Sequence, residues 1–441
     1  VHLREGDAGG TALPSQQRVP RIFSYGAADL AGLREALAKG EQGGAGPCRL
    51  VHVALDVAAH EQERARLIKA LGAEEPAYRL SRNAYFRRAP VSGETALVFP
   101  GAAAAYPGMG RELMLALPEL TEQTLARFPA LAYAQGWLDP ANGAIMHDPA
   151  QVLLGSSFLC QVHALLSLEW LHIKPQAVLG VSSGETNSVL AMGAWRSMDL
   201  GPMLKEIIDS GMYSREITGE FAVAKRGWGV EGPVNWRNFW VLAPVEEVQA
   251  ALAGEERVYL SMINSDNDCV IAGDGAGCER VAQRLGGKRI FPLGHDIIAH
   301  CPLMENWREP WYRIHHRETL PVPGVRFYSN ASGTWYEAER ERIAEALTNQ
   351  ATNPVDFRRV VNAAYDDGVR IFIENGPRGS CANWIDHILG ERDHVAVCLD
   401  RPRAGLLQLV DALAQLEVCG VPVLPNGHRC PRTRTSTLPL E

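Results

Sequence analysis

The feature of this sequence that most restricts its fold is an alternation of short apolar segments with longer segments of helical periodicity. The apolar segments lie at residues 96–101, 176–179, 327–330, 369–374 and 395–399. Such alternation is typical of a mostly parallel sheet with helices on both of its faces. We therefore predict an α/β fold for most of the chain.

The spacing of the predicted elements changes between residues 219 and 294. Two strands (258–263 and 269–272), a helix (276–285) and a further strand (290–293) follow one another closely there. This pattern predicts a compact β-β-α-β insert. We expect residues 219–294 to form a small subdomain, inserted between two parts of a large subdomain at 94–218 and 295–425.

The first part of the chain has its own short α/β pattern. Strands are predicted at residues 21–25 and 50–55, and helices at 27–38 and 59–71. A chain of 441 residues exceeds what one compact core usually holds, so we predict a separate small α/β domain at 21–93. The polar segments 1–20 and 426–441 are expected to be poorly ordered.

Composition excludes several classes of protein. A net charge of −8 and the absence of a basic run argue against nucleic-acid binding. We find no apolar stretch of about 18 residues, so no membrane span is expected. Nine cysteines without a C-x-x-C pair favour the reducing cytoplasm over a disulfide framework or a zinc site. The N-terminus lacks a secretory signal and an initiator Met, so we expect part of a longer chain.

One motif has the sequence of a nucleophile turn. Apolar residues 177–179 lead into Gly180-Val181-Ser182-Ser183-Gly184, and a helix-compatible run follows at 186–193. Strand, tight turn and helix form the context that a G-x-S-x-G nucleophile requires, although the motif alone also arises by chance in a chain with 42 glycines. We predict that Ser182 is the nucleophile and that the Ser183 backbone N–H is an oxyanion donor.

Seven segments in order then resemble one family: the malonyl-CoA:acyl-carrier-protein transacylases and the acyltransferase domains of polyketide and polyunsaturated-fatty-acid synthases. The resemblance covers about residues 95–425. The segments are 99–102 with 106–110, 180–185, 264–265 with 270–273, 299–304, 328–330, 350–357 and 374–377. Seven such segments in the expected order are very improbable by chance.

The resemblance implies a mechanism residue by residue. Ser182 would attack a thioester carbonyl, and His300 would remove its proton and later return it to the leaving thiol. The backbone carbonyl of Gln350 would orient His300. The backbone N–H groups of Ala102 and Ser183 would form the oxyanion hole.

The resemblance also implies the architecture and the partners. We expect an α/β-hydrolase-like large subdomain, a ferredoxin-like small subdomain with the site in the cleft between them, and a preceding linker domain. No permanently bound cofactor is implied; acyl-CoA would be the donor and a phosphopantetheinyl acyl carrier protein the acceptor, within a larger multidomain synthase. Glu185 is expected to stabilise a helix start. His295 and His300 lack a third ligand, so no metal site is predicted.

The sequence departs from the family pattern at the substrate. The usual histidine before the nucleophile is Val181. Malonyl-specific members carry an arginine about 25 residues after the nucleophile, which binds the malonyl carboxylate; Ile207 occupies that place here, and Arg196 and Arg215 are displaced from it. We take Val181, Ile207 and Ile297 as substrate-binding residues and predict a non-carboxylated acyl group.

Three alternatives remain open at this stage. An acyl-thioester hydrolase would use the same serine and histidine and deliver the acyl group to water. A malonyl transacylase could anchor its carboxylate in an atypical way. A non-catalytic docking domain is a further alternative, which the presence of Ser182, His300 and Gln350 disfavours.

Overall fold

The computed structural model describes residues 20–423, apart from 74, 132–136, 138, 140, 142, 144–145, 147 and 287–288. The chain divides into two compact units, Val1–Pro90 and Val91–Glu441. The first unit ends slightly before the predicted boundary at residue 93. The predictions for residues 1–19 and for the tail 426–441 lie outside the described residues.

The first unit is an antiparallel sheet with two helices packed against it. Its strand order is β1-β2-β4-β3, and both helices begin at an aspartate whose side chain accepts a backbone N–H of the first turn. Strands β3 and β4 were not predicted from the sequence. The elements are β1 Arg21–Ala27, α1 Leu30–Lys39, β2 Cys48–Ala54, α2 Val57–Leu71, β3 Arg79–Ser81 and β4 Ala84–Arg87.

The second unit is built on a six-stranded sheet in the order β12-β11-β6-β5-β14-β15. All neighbouring pairs are parallel except β11 and β12, so the predicted mostly parallel sheet is confirmed. The strands are β5 Glu94–Phe99, β6 Ala177–Gly180, β11 Arg326–Tyr328, β12 Trp335–Tyr336, β14 Val369–Glu374 and β15 Val395–Cys398. Apolar side chains of these strands, such as Leu179 and Phe372, are buried against helices.

Helices connect the strands of this sheet. They are α3 Arg111–Ala116, α4 Pro118–Arg127, α5 Pro149–Leu165, α6 Ser183–Ala191, α7 Gly201–Asp209, α8 Ala222–Trp228, α11 Arg308–His315, α12 Arg340–Thr352, α13 Phe357–Asp366, α14 Ser380–Leu389 and α15 Gly405–Val418. Short 3₁₀ segments lie at Ala102–Ala104 and Pro302–Trp307, and short π-helical segments at Leu166–Trp170 and Met212–Glu216. Helix α6 packs on β5 and β6, while α13 and α14 pack on β14.

A second, smaller sheet is inserted in this unit, as the sequence predicted. It has the chain order β-α-β-β-α-β and the spatial order β10-β7-β9-β8, which is the ferredoxin-like arrangement. The elements are β7 Trp236–Val241, α9 Val245–Ala251, β8 Val258–Ser265, β9 Asp268–Asp274, α10 Gly275–Arg284 and β10 Ile290–Pro292. The sequence pattern did not indicate β7 or α9. Strand β13, Val355–Asp356, extends the sheet by pairing in parallel with β8.

One helical segment bears on the expectation that the chain has no membrane span. Residues Pro149–Trp170 are long and apolar enough, by length and composition, to cross a membrane, with a mean hydropathy of 1.4. Polar residues such as Ser156, Gln161 and His163 interrupt the segment, so the sequence shows no continuous apolar stretch there. In the structure 72% of its apolar 18-residue window is buried inside the protein. Ser156 and His163 bond to the loop residues Gly101 and Gly376, and Gln161 bonds to Asn187 of helix α6. The segment is therefore a core helix of the second unit.

Candidate active site

The predicted nucleophile lies at the carboxyl ends of the two central strands. β5 and β6 pair in parallel, with Phe99 opposite Gly180, so the residues that follow each strand meet at one edge of the sheet. The Val181 N–H donates to the Phe99 carbonyl at 2.9 Å, which continues the ladder by one residue. Ser182 therefore leaves the sheet next to the loop that begins at Gly101.

The turn at Ser182 is strained and closely packed. Ser182 has φ +55°, a backbone conformation that costs free energy for a residue other than glycine. A Cβ atom on Gly184 would lie 2.0 Å from the Phe99 carbonyl oxygen, and one on Gly180 would lie 2.1 Å from the Glu185 nitrogen. Both positions of the motif therefore require glycine, and α6 can begin directly after the nucleophile.

The predicted base is held by the last turn of helix α12. The His300 N–H donates to the Ala351 carbonyl at 2.8 Å, and His300 Nδ1 lies 2.7 Å from the Gln350 carbonyl oxygen. A carbonyl in the last turn of a helix lacks its intrahelical partner, and residue 354, which would supply the N–H for Gln350, is a proline. The end of α12 thus offers His300 an acceptor that no backbone amide of the helix could take.

This arrangement fixes the protonation of the imidazole. A carbonyl oxygen only accepts, so Nδ1 carries the proton and donates to Gln350, which leaves Nε2 as an acceptor. His300 Nε2 lies 2.7 Å from Ser182 Oγ. Burial lowers the pKa of His300 to about 4, against the opposing effect of its bond to Gln350. The imidazole is therefore neutral at physiological pH and can accept the Ser182 proton.

The side chain of Gln350 has a second function that the sequence did not reveal. Its Nε2 donates to the Ser182 carbonyl at 2.5 Å and approaches the Glu185 carboxylate at 3.4 Å. The same residue therefore holds the base through its carbonyl and the strained nucleophile turn through its amide.

Glu185 lies in the first turn of α6, as predicted, and makes contacts that the sequence did not predict. Its carboxylate accepts hydrogen bonds from the Asn330 N–H and Nδ2 groups, at 3.1 and 2.6 Å, and from the Tyr336 hydroxyl at 3.3 Å. It is 1% exposed, and burial raises its pKa to about 7. Its carboxylate therefore joins α6 to the loop after β11. Asn330 belongs to the segment 328–330, which resembles the family, but nothing in the sequence indicated that it contacts Glu185.

The two predicted oxyanion donors lie on adjoining segments. Ser183 is the first residue of α6, and Ala102 begins the 3₁₀ segment after β5. The Ala102 N–H donates to the Ser183 side-chain Oγ at 3.0 Å. The segments that carry the two predicted backbone donors are therefore brought together, but the Ala102 N–H bonds to a side-chain hydroxyl that the sequence did not implicate, and both residues line the cavity described below.

Arg378, which the sequence also did not indicate, supports the Ala102 loop. It follows β14, the other neighbour of β5, and has φ +82°. Its guanidinium donates to the Ala104 carbonyl at 2.9 Å and to the Ala105 carbonyl at 2.8 Å. Ser156 of α5 donates to the Gly101 carbonyl at 3.3 Å. Contacts between residues this far apart in sequence leave no local signal.

A cavity of about 440 Å³ opens beside Ser182 and His300. The three predicted substrate-binding residues, Val181, Ile207 and Ile297, all line it. Most of the other lining side chains are apolar; they include Val152, Leu153, Met203, Leu204, Met212, Ile217, Met262, Val270, Trp311 and Ile314. This volume and this lining are typical of a small-molecule site with few orienting polar groups.

Comparison with known proteins places the chain among relatives of one kind, although no model of a known protein family matches it. It is 24% identical over 283 residues to a component of the polyunsaturated fatty acid synthase of Thraustochytrium sp., a match that spans 60% of the chain and 14% of that protein. It is 25% identical over 313 residues to the malonyl CoA-acyl carrier protein transacylase of Haemophilus influenzae, which spans 68% of the chain and 94% of that enzyme. The chain thus spans only a small part of the multidomain synthase it matches.

Solved structures share the fold. The acyltransferase domain from the second module of the salinomycin polyketide synthase has a TM-score of 0.65 and 24% identity, covering 85% of this chain and 84% of that domain. The corresponding domain from module 8 has a TM-score of 0.71 and 18% identity, covering 92% and 97%. The predicted α/β fold with a large and a small subdomain is therefore confirmed.

The lowered pKa of His300 predicts an unusual pH dependence for Ser182. Labelling by an alkyl fluorophosphonate requires neutral His300, so its rate should stay constant from pH 8 to about 5 and fall with a midpoint near pH 4. Rates are read by intact-protein mass spectrometry, with circular dichroism as the control for folding at each pH. A midpoint near 6.5, the value of an unperturbed histidine, would contradict the buried geometry.

The Glu185 network predicts a difference between two substitutions. Glu185→Ala leaves the buried Asn330 backbone N–H and one of the two Asn330 Nδ2 hydrogens without an acceptor, while Nδ2 keeps its bond to the Gly180 carbonyl, and should lower the free energy of unfolding by about 3 kcal/mol. Glu185→Gln keeps one oxygen for Asn330 and can donate to the Tyr336 hydroxyl, so it should cost roughly 1 kcal/mol or less. Chemical denaturation measures both. Equal losses would show that the hydrogen bonds do not determine the effect.

Proposed function

We propose that this chain, a divergent member of the family of malonyl-CoA:acyl-carrier-protein transacylases and synthase acyltransferase domains, transfers an acyl group through an ester on Ser182 to a carrier thiol. The observation that carries the proposal is the 2.7 Å contact between Ser182 Oγ and His300 Nε2, with His300 oriented by the Gln350 carbonyl. A serine and a base in this relation, next to an apolar cavity, are equipped for acyl transfer.

In the first half-reaction the Ser182 proton moves to His300 Nε2 as Oγ bonds to the thioester carbonyl carbon. The negative charge on the carbonyl oxygen is stabilised by the donors at Ser183 and Ala102. The C–S bond then breaks, and His300 returns the proton to the departing CoA sulfur. The acyl group remains as an ester on Ser182.

The second half-reaction runs through the same steps in reverse. The thiol of a phosphopantetheinyl acyl carrier protein gives its proton to His300 and attacks the ester, and the collapse of the intermediate returns the proton to Ser182 Oγ. No permanently bound cofactor takes part. Relatives such as the polyunsaturated fatty acid synthase component are much longer than this chain, so we infer that the chain works within a multidomain synthase in the cytoplasm, as the cysteine usage predicts.

The acyl group is inferred from the wall of the cavity. Ile207 of α7 is 9% exposed and packs in a cluster with Met212, Ile217 and Ile314. A carboxylate placed against this cluster would lose its water without gaining a charged partner. The neighbouring Glu206 is paired with Arg313 at the surface, at 2.8 Å. We therefore infer a non-carboxylated acyl group.

Among the residues that the structure describes, no lysine or arginine that lines the cavity is available to replace the arginine missing at position 207. Arg378 is the only Lys or Arg among the lining residues that the structure describes, and its guanidinium is bonded to the carbonyls of Ala104 and Ala105. Arg196 and Arg215, the nearest arginines in sequence, are ion-paired with Glu318 and Glu216 and do not line the cavity. Lys205, two positions before Ile207, is ion-paired with Asp209 and does not line it either. An atypical malonyl anchor therefore gains no support.

An acyl-CoA panel tests the proposal. Malonyl-, butyryl-, octanoyl- and palmitoyl-CoA are each mixed with the protein, and the acylation of Ser182 is followed by rapid-quench mass spectrometry. We expect one of the three non-carboxylated groups to load fastest, and no loading in Ser182→Ala. In Ile207→Arg, malonyl loading should rise roughly 30-fold, since a charge-assisted pair contributes about 2 kcal/mol.

The control for Ile207→Arg is Ile207→Met, which keeps the cavity apolar and should not improve malonyl loading. Adding a phosphopantetheinyl carrier to the loaded protein distinguishes transfer from hydrolysis. Rapid, selective malonylation of the unmodified chain would overturn the inferred cargo. Loss of the ester to water at the same rate with and without carrier would favour the hydrolase.

A further inference from the structure

The resemblance to the family assigned only the backbone N–H of Ser183 to the oxyanion hole. In the structure the Ser183 side chain also lies at this site. Ser183 is partly buried and lines the cavity beside the nucleophile. Its Oγ accepts the Ala102 N–H at 3.0 Å. This N–H, which was expected to point at the substrate oxygen, therefore points at a serine hydroxyl.

A serine hydroxyl that accepts one hydrogen bond keeps a proton to donate. Within the part of the chain that the structure describes, Ser183 Oγ donates no hydrogen bond to a protein acceptor. The cavity is the remaining direction, and there the thioester carbonyl must lie for Ser182 to attack it. The hydroxyl is also polarised by the N–H that it accepts, which makes it a stronger donor.

The loop that carries Ala102 is held on both sides, so the Ala102 N–H keeps its direction. Ser156 donates to the Gly101 carbonyl at 3.3 Å. Arg378 donates to the Ala104 and Ala105 carbonyls at 2.9 and 2.8 Å, and its guanidinium lies over the Tyr106 ring. A substrate would have to displace the Ser183 hydroxyl against this fixed loop to reach the N–H directly.

We propose that the Ser183 hydroxyl is itself a catalytic oxyanion donor, which passes the Ala102 N–H on to the substrate as a relay from N–H to Oγ–H to the carbonyl oxygen. As Ser182 Oγ bonds to the carbonyl carbon, the C=O electron pair moves onto oxygen and is met by the Ser183 O–H and N–H. Ser183 forms no covalent bond and transfers no proton, and the oxygen's charge returns to the carbonyl when the C–S bond breaks. This role rests on the proposed acyl transfer at Ser182.

Labelling of Ser182 by an alkyl fluorophosphonate tests the relay without any assumption about the acyl group, because the P=O oxygen takes the place of the carbonyl oxygen. Loss of one oxyanion donor typically costs about 100-fold in rate or more, so Ser183→Ala should be labelled roughly 100-fold more slowly. The maximal labelling rate should fall with little change in the half-saturating concentration, as expected for an interaction made only in the transition state.

Two further variants keep the test decisive if Ser183→Ala folds poorly. Ser183→Thr keeps the hydroxyl and should be labelled within a few-fold of the unmodified chain, whereas Ser183→Cys has nearly the same size but donates weakly and should be slow. Thermal unfolding checks the fold of each variant. Labelling of Ser183→Ala or Ser183→Cys as fast as, or faster than, the unmodified chain would overturn the relay, since the hydroxyl would then only cap the Ala102 N–H.

The same variants separate this inference from the proposed function. If the relay is wrong but acyl transfer is right, acyl-CoA still loads Ser182 and the Ser183 variants load equally fast. If acyl transfer is wrong, no acyl-CoA of the panel loads Ser182, while fluorophosphonate labelling still reports whether the Ser183 hydroxyl serves the oxyanion site.

Discussion

The hydrogen bond from His300 to the end of helix α12 is the interaction on which the site depends. His300 adopts a left-handed backbone conformation, φ +58°, and is 6% exposed, so it needs a partner that keeps both its backbone and its ring in place. The carbonyls of Gln350 and Ala351 supply this partner. Pro354 has no backbone N–H, so residue 354 does not donate to the Gln350 carbonyl. This carbonyl is therefore free to accept the His300 Nδ1 proton, and no carboxylate is needed to orient the ring.

The same helix end connects the two sheets of the second unit. The chain passes from α12 directly into β13, which pairs with β8 of the small sheet, while Gln350 reaches the nucleophile turn through its side chain. One short segment thus orients the base, supports the strained serine and joins the small subdomain to the site.

Helix α5 supports the loops that follow β5 and β14. Its buried polar side chains bond to the loops that follow the central strands: Ser156 to the Gly101 carbonyl, and His163 to the Gly376 N–H at 3.0 Å. Burial lowers the pKa of His163 to about 3, so it remains a neutral acceptor for this N–H. The loops at the edge of the sheet therefore have their polar groups satisfied by a core helix, which keeps the oxyanion donors in a fixed position.

Local patterns in the sequence were sufficient for the elements that carry the chemistry. The strand before Ser182 and the glycines around it have a strong local signal, because sterics at the turn leave few residue types possible. His300 was indicated only by the resemblance of its flanking residues to the family. Strand β7 was missed because Trp236–Val241 lacks a clear alternation of polar and apolar residues. The contact between Glu185 and Asn330 was not predicted, because the two residues are 145 positions apart in the sequence. The hydrogen bond from Ala102 to Ser183 and those from Arg378 to the Ala104 and Ala105 carbonyls join residues far apart in sequence, so they could not be predicted from local sequence.

Nitrogen-15 NMR of the histidine side chains measures the central interaction most directly, with His300→Gln used to assign the signal. The structure predicts that His300 is protonated at Nδ1 and unprotonated at Nε2 throughout the neutral range, and that it takes up a second proton only near pH 4. Protonation at Nε2 at neutral pH, or titration near 6.5, would contradict the account.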